Sequence, residues 1–131
     1  LICGGNEVNE EGFFIEPTIF TDVTAEMTIA REEIFGPVLC IEKFGNESLE
    51  EIANRANQTT YGLSGSVWTS DISTGHKMAA LIDSGQVSIN CHAAVDSAIP
   101  FGGNKQSGWG REFGEEGLDS YLKTKATTVM Y

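Results

Sequence analysis

The stretch that decides the fold is SGSVWTSDISTGHKMAALIDSGQVSIN, residues 64–90. It begins with a short segment typical of a β-strand, SGSVW at 64–68, and ends with a second one, QVSIN at 86–90. Between them, apolar side chains recur at spacings of three and four residues, which indicates a helix with one buried face. A strand, a helix and a second strand in this order predict parallel strands joined by a crossover helix.

The helix of this unit is predicted to begin near Asp71 or Thr74 and to end at Ser84. Gly75 should weaken its first turn, because glycine has the largest backbone entropy to lose. Gly85 stands where the glycine that follows a helix C-terminus is expected. The side chains predicted to form the buried stripe of the helix are Met78, Ala79, Leu81 and Ile82.

The segments upstream extend the alternation of strands and helices. VLCIEKF (38–44) is predicted as a strand, and SLEE (48–51) fits a capping box that begins a helix running to about Gln58. FFIEPTIF (13–20) is rich in strand-forming residues, but a proline cannot donate a hydrogen bond to a ladder. This segment therefore predicts an edge strand or a strand broken at Pro17.

The segments downstream differ from these in composition. PFGGNKQSGWGREFGEEG (100–117) contains six glycines and predicts a loop whose shape is set by backbone requirements. YLKTKATTVMY (121–131) alternates and is β-branched, which predicts a final strand. That strand must pair either with its own sheet or with the sheet of another subunit.

Composition excludes several classes of function. The chain has 131 residues with 8 basic and 19 acidic side chains, and its net charge of −11 argues against a nucleic-acid partner. No apolar run approaches the roughly 20 residues that a membrane helix needs. The N-terminal segment lacks a signal peptide's basic region and resembles the middle of a longer chain. Cys3, Cys40 and Cys91 form no C-x-x-C pair, so we predict no metal site, no disulfide framework and a cytoplasmic location.

Three segments together resemble the C-terminal part of the aldehyde dehydrogenase superfamily. They are EEIFGPV (32–38), YGLSGSVWTSD (61–71) and PFGGNKQSGWGREFGEEGL (100–118), and the resemblance covers essentially the whole chain. It implies an α/β fold class, namely the C-terminal portion of the aldehyde dehydrogenase catalytic domain followed by a terminal oligomerisation strand.

The resemblance also implies a division of the chain into three parts. Residues 1–110 would be the C-terminal part of the catalytic domain, 111–120 a linking segment, and 121–131 the oligomerisation strand. In the family this strand joins a sheet across the subunit boundary of a homo-oligomer. The alternative is an ordinary edge strand within one chain, and the sequence leaves a dimer or a tetramer open.

The implied activity is the oxidation of an aldehyde to a carboxylic acid with NAD or NADP. The family's nucleophilic cysteine and general-base glutamate lie upstream of the part that this chain resembles, so the 131 residues alone are expected to be inactive. A non-catalytic aldehyde-dehydrogenase-like binding or assembly module is the alternative. A nucleophilic cysteine in the parent chain would favour the enzyme, and its absence would favour the non-catalytic module. Neither the aldehyde nor the choice between NAD and NADP can be read from these residues.

Glu33 and Phe35 are the candidate cofactor-binding residues. A carboxylate can accept hydrogen bonds from two neighbouring hydroxyl groups, and a ribose presents such a pair. By the resemblance, Glu33 binds the nicotinamide ribose, Phe35 packs beside the nicotinamide ring, and the Gly36-Pro37 corner directs both side chains. The alternative interpretations are a solvated acid at a strand edge and a phenylalanine of the core. Glu32 has no matching role.

The segment NCHAAVDSAIPF (90–101) is the candidate substrate loop. By the resemblance it lines the aldehyde tunnel, Phe101 touches the substrate, and Val95 and Asp96 fall where the loop varies with the substrate. The pattern is weakly similar to the phenylacetaldehyde dehydrogenase type. His92 lies four residues before Asp96, but the family needs no histidine there. We therefore interpret it as a loop histidine bonded to the backbone.

Glu112 is the candidate catalytic residue. By the resemblance it matches an acid linked to proton movement from the active-site water, which makes it a possible proton relay. The alternative is an ion pair with Arg111 or Lys105 that holds the glycine-rich loop.

Overall fold

The computed structural model describes residues 1–8 and 11–131. The chain divides into two compact units, Leu1–Thr60 and Tyr61–Tyr131, each with its own strands and helices. None of the helices in the described residues is long and apolar enough to cross a bilayer.

The first unit is built on a pair of short parallel strands. β1 covers Thr18–Phe20 and β2 covers Val38–Cys40. The short helix α1, Thr28–Arg31, lies between them in sequence. The segment 38–44 pairs over its first three residues only, so β2 is shorter than predicted.

The predicted break at Pro17 is confirmed. β1 begins directly after this proline, and the N–H of Thr18 donates to the carbonyl of Pro37 at 2.8 Å. Before the break, Ile15 forms an isolated antiparallel bridge with Glu7. After the break, Ile19 bridges to Cys3 of the same N-terminal segment, and β1 also pairs with β2. Pro17 itself has no N–H to donate and interrupts the ladder.

The predicted capping box is also confirmed. The helix α2 spans Leu49–Ala56, and the hydroxyl of Ser48 accepts from the N–H of Glu51 at 3.2 Å. The Glu51 carboxylate accepts in return from the N–H of Ser48 at 2.8 Å. The helix ends two residues before the predicted Gln58, and Ala53 is its most buried side chain at 1% exposure.

The second unit contains the predicted strand–helix–strand crossover. β3 covers Tyr61–Gly62 and β4 covers Ser64–Val67. The helix α3, Ile72–Leu81, leads to β5, Gln86–Ile89, which pairs in parallel with β4. The α/β assignment is thus confirmed.

The two ends of α3 differ in how well the sequence predicted them. Asp71 caps the start, and its carboxylate accepts from the N–H groups of Ser73 at 3.1 Å and Thr74 at 3.2 Å. Hydrogen bonds from the Thr74 hydroxyl and from these two N–H groups lower the pKa of Asp71. The helix ends at Leu81, three residues before the predicted Ser84.

Gly75 has a packing role that the sequence did not reveal. It is buried in α3, and a Cβ placed there would lie 3.1 Å from Cγ2 of Ile89 and 3.3 Å from Cγ2 of Thr69. The absence of a side chain therefore lets α3 approach β5 closely. The four residues of the predicted stripe on this helix are each half-buried.

The prediction that Gly85 terminates the helix is wrong. α3 ends four residues earlier, and the N–H of Gly85 donates to the carbonyl of Gly62 at 3.0 Å. A Cβ on Gly85 would lie only 1.7 Å from the carbonyl oxygen of Gly102. Glycine is needed at this position because two backbone segments approach each other there.

The glycine-rich segment forms a loop with little regular structure, as predicted. β6, Asn104–Lys105, pairs antiparallel with β3, and a 3-10 helix covers Glu116–Tyr121. Within the described chain, residues 122–131 belong to no paired strand. Pairing with another part of the same longer chain and pairing between subunits both stay predictions.

Much apolar surface is exposed in both units. Val23 and Ala53, with 6% and 1% exposure, are the buried apolar side chains among residues 1–8 and 11–131. Large side chains such as Phe13, Trp109 and Tyr131 are almost wholly exposed. These surfaces are available for contact with other parts of a longer chain or with a partner.

We expect Ser48→Ala in the full-length protein to lower the free energy of unfolding by about 1 kcal/mol, because the N–H of Glu51 loses its capping acceptor. Chemical denaturation measures the change. Ser70→Ala, an exposed serine outside any helix, is the matched control and should change stability little. Equal effects of the two substitutions would contradict the capping role.

We expect Gly85→Ala to cost about 1–3 kcal/mol, because its methyl group would overlap the carbonyl of Gly102. Gly110→Ala is the control in the same unit, since a Cβ at Gly110 meets no atom within 4 Å. Thermal and chemical denaturation of both variants measure the difference. If Gly85→Ala were as stable as Gly110→Ala, the close approach of the two segments would be wrong.

Candidate functional site

The predicted cofactor residues lie on the connection between α1 and β2 in the first unit. The N–H of Gly36 donates to the carbonyl of Ile34 at 2.9 Å, and the N–H of Val38 donates to the carbonyl of Gly36 at 2.8 Å. Each bond spans two residues, so the Gly-Pro corner is a pair of consecutive γ-turns centred on Phe35 and Pro37. The bond from Thr18 to Pro37 ties this corner to β1.

Both candidate cofactor side chains are accessible to a ligand. Phe35 is 97% exposed, and Glu33 is also exposed. Among the described residues Phe35 is part of no core, and its role in a longer chain stays a prediction. An exposed ring beside an exposed carboxylate can stack on a planar group while two carboxylate oxygens accept hydrogen bonds from hydroxyl groups.

The second unit brings two other predicted site residues together. Phe101 and Glu112 exchange both backbone hydrogen bonds, N–H to carbonyl, at 2.7 Å each. Residues paired in this way in an antiparallel ladder project their side chains to the same side. The Phe101 ring also lies 6.5 Å from the ring of Phe113 in a tilted arrangement. Phe101, the predicted substrate contact, and Glu112, the predicted proton relay, are therefore neighbours.

The glycine-rich loop is held by bonds that do not involve the Glu112 side chain. Arg111 donates to the carbonyl of Gly103 at 2.7 Å and to Oδ1 of Asn104 at 3.0 Å. Lys105 pairs with Asp83, with an N–O distance of 3.3 Å. Among the described residues Glu112 is exposed and forms no ion pair, so the alternative of an ion pair with Arg111 or Lys105 is wrong.

Val95 and Asp96, which fall where the loop is expected to vary with the substrate, lie in an exposed part of that loop. Val95 is 51% exposed, and Asp96 is exposed as well. Oδ1 of Asp96 accepts from the N–H of Ala98 at 2.8 Å, and its carbonyl accepts from the N–H of Ile99 at 3.0 Å. Asp96 thus forms a local side-chain turn that shapes the loop.

His92 does not form a dyad with Asp96. Its Nδ1 lies 2.9 Å from the hydroxyl oxygen of Ser66, a residue of β4. The expected bond to the backbone is therefore replaced by a bond to a side chain on the neighbouring strand. The choice of donor depends on the tautomer of the imidazole.

Left-handed backbone occurs at five described residues other than glycine, two of which, Asn90 and Ala93, lie in the substrate loop. Asn90, Ala93 and Phe113 have φ values of 56°, 51° and 59°, in the left-handed region that side chains rarely adopt. Asn90 has a local compensation, because its Oδ1 accepts from the N–H of Thr69 at 2.9 Å. Strained backbone of this kind is often found at functional sites, where the surrounding contacts hold it.

Sequence reasoning missed Gln86 as a residue of this region. Its Nε2 donates to the carbonyl of Ala94 in the substrate loop at 2.8 Å. The signal available in the sequence was the alternation of polar and apolar residues in QVSI, which predicts one polar face for this strand. Among the described residues no group of three histidine, cysteine or acidic side chains is placed to hold a metal ion.

Comparison with curated proteins finds similar sequences along the whole chain. It is 50% identical to cytosolic 10-formyltetrahydrofolate dehydrogenase of Xenopus tropicalis over 131 residues, which is 14% of that protein. It is 48% identical to aldehyde dehydrogenase 1A1 of Oryctolagus cuniculus over 129 residues, which is 98% of this chain and 26% of that protein. The chain thus spans about a seventh to a quarter of the length of these relatives.

Solved structures show the same fold. The NAD+ complex of an aldehyde dehydrogenase from Bacillus cereus superposes with a TM-score of 0.83 at 48% identity, over 92% of this chain and 24% of that one. An indole-3-acetaldehyde dehydrogenase of P. syringae, in complex with NAD+ and IAA, gives 0.88 at 42% identity, over 96% and 26%.

The profile of the aldehyde dehydrogenase family matches residues 1–127, nearly the whole of the chain. This match and the similar structures confirm the resemblance that the three sequence segments indicated. The chain belongs to the aldehyde dehydrogenase family.

Proposed function

We propose that the protein containing these residues is an NAD(P)-dependent aldehyde dehydrogenase that oxidises an aldehyde to a carboxylic acid. The observation that carries this proposal is the pairing of Phe101 with Glu112 in a chain that belongs to this family. It brings an aromatic substrate contact and an acid together on one side of a short ladder.

Glu33 and Phe35 are the proposed cofactor contacts. The Glu33 carboxylate accepts from the two hydroxyls of the nicotinamide ribose, and the exposed ring of Phe35 packs beside the nicotinamide. The γ-turns centred on Phe35 and Pro37 limit the backbone freedom of Phe35 and of the corner that follows it. When bound, the nicotinamide supplies the acceptor for the hydride removed from the aldehyde carbon. Similar proteins with bound NAD+ support NAD as the cofactor, and NADP stays open.

Val95, Asp96 and Phe101 are the proposed substrate contacts. The turn made by Asp96 fixes the path of the loop directly after Val95, and the ring of Phe101 supplies an apolar surface for the aldehyde chain. The weak similarity to the phenylacetaldehyde type favours an aryl or medium-sized aldehyde. The structure of a similar enzyme with NAD+ and IAA is compatible with such a substrate.

Glu112 is proposed to relay a proton away from the active-site water. Its carboxylate is exposed, so it can exchange protons with solvent, and its backbone is fixed by the two bonds to Phe101. An acid that is held in place at its backbone and free at its side chain suits a relay better than a structural ion pair.

The chain does not contain the proposed nucleophile. Cys40 and Cys91 are half-buried, Cys3 is exposed, and none lies in a sequence like the family's nucleophile loop. We therefore propose that residues 1–110 complete a catalytic domain, that 111–120 link it to the tail, and that 121–131 form the oligomerisation strand. We propose a cytoplasmic location on the basis of the cytosolic relative, whereas similar relatives of Homo sapiens and Mus musculus are mitochondrial.

We expect Glu33→Gln in the full-length protein to raise the KM for NAD by about threefold to thirtyfold and to lower kcat, because one charged acceptor of the ribose hydroxyls is lost. Steady-state kinetics at varied NAD measure this. Glu32→Gln, the same change at the exposed neighbouring position, is the matched control. Unaltered NAD affinity and turnover in Glu33→Gln would refute the assignment.

We expect deletion of residues 122–131 to reduce the mass of the full-length protein in solution, because a strand that pairs between subunits is lost. Light scattering after size-exclusion chromatography measures the mass. The double substitution Lys123→Gln and Lys125→Gln keeps the backbone of the tail and should keep the oligomer. An unchanged oligomer after the deletion would exclude the assembly role.

If the purified wild-type protein oxidised no aldehyde with NAD or NADP, the non-catalytic binding or assembly module would replace the enzyme as the proposed function.

A further inference from the structure

The pair formed by β4 and β5 has two chemically different faces. A Cβ at Gly65 would lie 3.0 Å from Cγ2 of Ile82 and 3.8 Å from Cγ2 of Val87, so this face is covered by the end of α3. Side chains alternate between the faces of a strand. The opposite face therefore carries the polar residues of the two strands, which are Ser64, Ser66, Gln86 and Ser88.

Two side chains of this polar face hold the substrate loop. Nε2 of Gln86 donates to the carbonyl oxygen of Ala94 at 2.8 Å, and the hydroxyl oxygen of Ser66 lies 2.9 Å from Nδ1 of His92. The two loop residues contacted, His92 and Ala94, are two positions apart, and the residues that contact them lie on the paired strands β4 and β5. The Gln86 bond holds the backbone directly before Val95, and the Ser66 contact holds the side chain of His92.

The Gln86 amide is held in a single orientation. The carbonyl of Ala94 can only accept, so the NH2 group of the amide must face it. Oε1 of Gln86 is then buried, without a hydrogen-bond partner among the described residues. A buried unpaired acceptor is unfavourable for folding, so this side chain is a poor choice for stability alone.

We propose that Gln86 is a positioning residue that sets aldehyde selectivity by fixing the peptide at Ala94. The inference rests on the proposed function, because it takes the loop from 90 to 101 as the lining of the aldehyde site. The bond to the Ala94 carbonyl holds the peptide that joins Ala94 to Val95, next to the left-handed backbone of Ala93 (φ 51°), and so sets the direction from which Val95 meets the substrate.

The test is Gln86→Met in the full-length enzyme, since methionine has a similar length and shape but cannot donate to Ala94. We expect the KM for phenylacetaldehyde to rise about threefold to tenfold relative to that for acetaldehyde, the effect of one lost hydrogen bond. The KM for NAD should stay within about twofold, because the change concerns the loop and not the cofactor. Backbone hydrogen exchange at residues 92–96 should become faster.

Thermal stability separates positioning from a merely structural role. Gln86→Met also removes the buried unpaired Oε1, so we expect the melting temperature to stay within about 2 °C of the wild type. A large loss of stability without a change in selectivity would overturn the proposal. Gln106→Met, the same change at an exposed turn residue, is the matched control and should alter neither selectivity nor exchange.

A second variant tests the direction of the hydrogen bond. Gln86→Glu keeps the shape of the side chain but places a carboxylate oxygen against the Ala94 carbonyl. We expect it to perturb selectivity and loop exchange more than Gln86→Met does, because two acceptors then face each other. Wild-type selectivity and wild-type exchange in both variants would overturn the proposal.

The outcomes for Gln86 and for the proposed function are distinguishable. A wild-type enzyme without aldehyde oxidation would refute the proposed function, and the exchange measurement would still report on the anchor at Ala94. An active wild type with unchanged selectivity in Gln86→Met would refute only the role of Gln86.

Discussion

The parallel pairing of β4 and β5 is the constraint on which the second unit depends. Its register, from Ser64 opposite Gln86 to Val67 opposite Ile89, decides which side chains face α3 and which face the loop after β5. A shift by one residue would send every side chain to the other face. Gly65 and Gly75 lie where the helix approaches the strands, and their missing side chains let α3 cover the apolar face.

The candidate substrate loop is anchored at both of its ends. At its start, Asn90 bonds to the backbone at Thr69, directly beyond β4, and at its end Phe101 pairs with Glu112. Gly85 and Gly102 bring the start of β5 and the glycine-rich segment into backbone contact. The loop therefore combines strained local backbone with anchors that are distant in sequence, an arrangement that holds a binding surface in one shape.

The exposed side chains of both units are consistent with a chain that spans about a quarter or less of its relatives. Phe35 is one of these, and so are Trp109 and most apolar residues of the N-terminal segment. With Val23 and Ala53 as the buried apolar residues of the described chain, little of the stability can come from a core of its own. The proposed chemistry likewise depends on residues outside these 131.

The sequence by itself determined the features whose causes are local. The capping box of Ser48 and Glu51, the cap at Asp71 and the break at Pro17 each depend on residues within three positions of one another. The order of strand-like and helix-like patterns likewise indicated the crossover, and three motifs indicated the family.

Only the tertiary structure decided the features that join distant segments. Gly85 must be a glycine because the backbone of Gly102 lies against it. Phe101 pairs through its backbone with Glu112, and the side chain of Gln86 donates to the carbonyl of Ala94. The lengths of β2 and α3 are also tertiary, because a strand ends where its partner ends and α3 stops where the chain turns towards β5. A sequence pattern records which residue types are compatible with a contact, whereas the path of the backbone decides which of them meet.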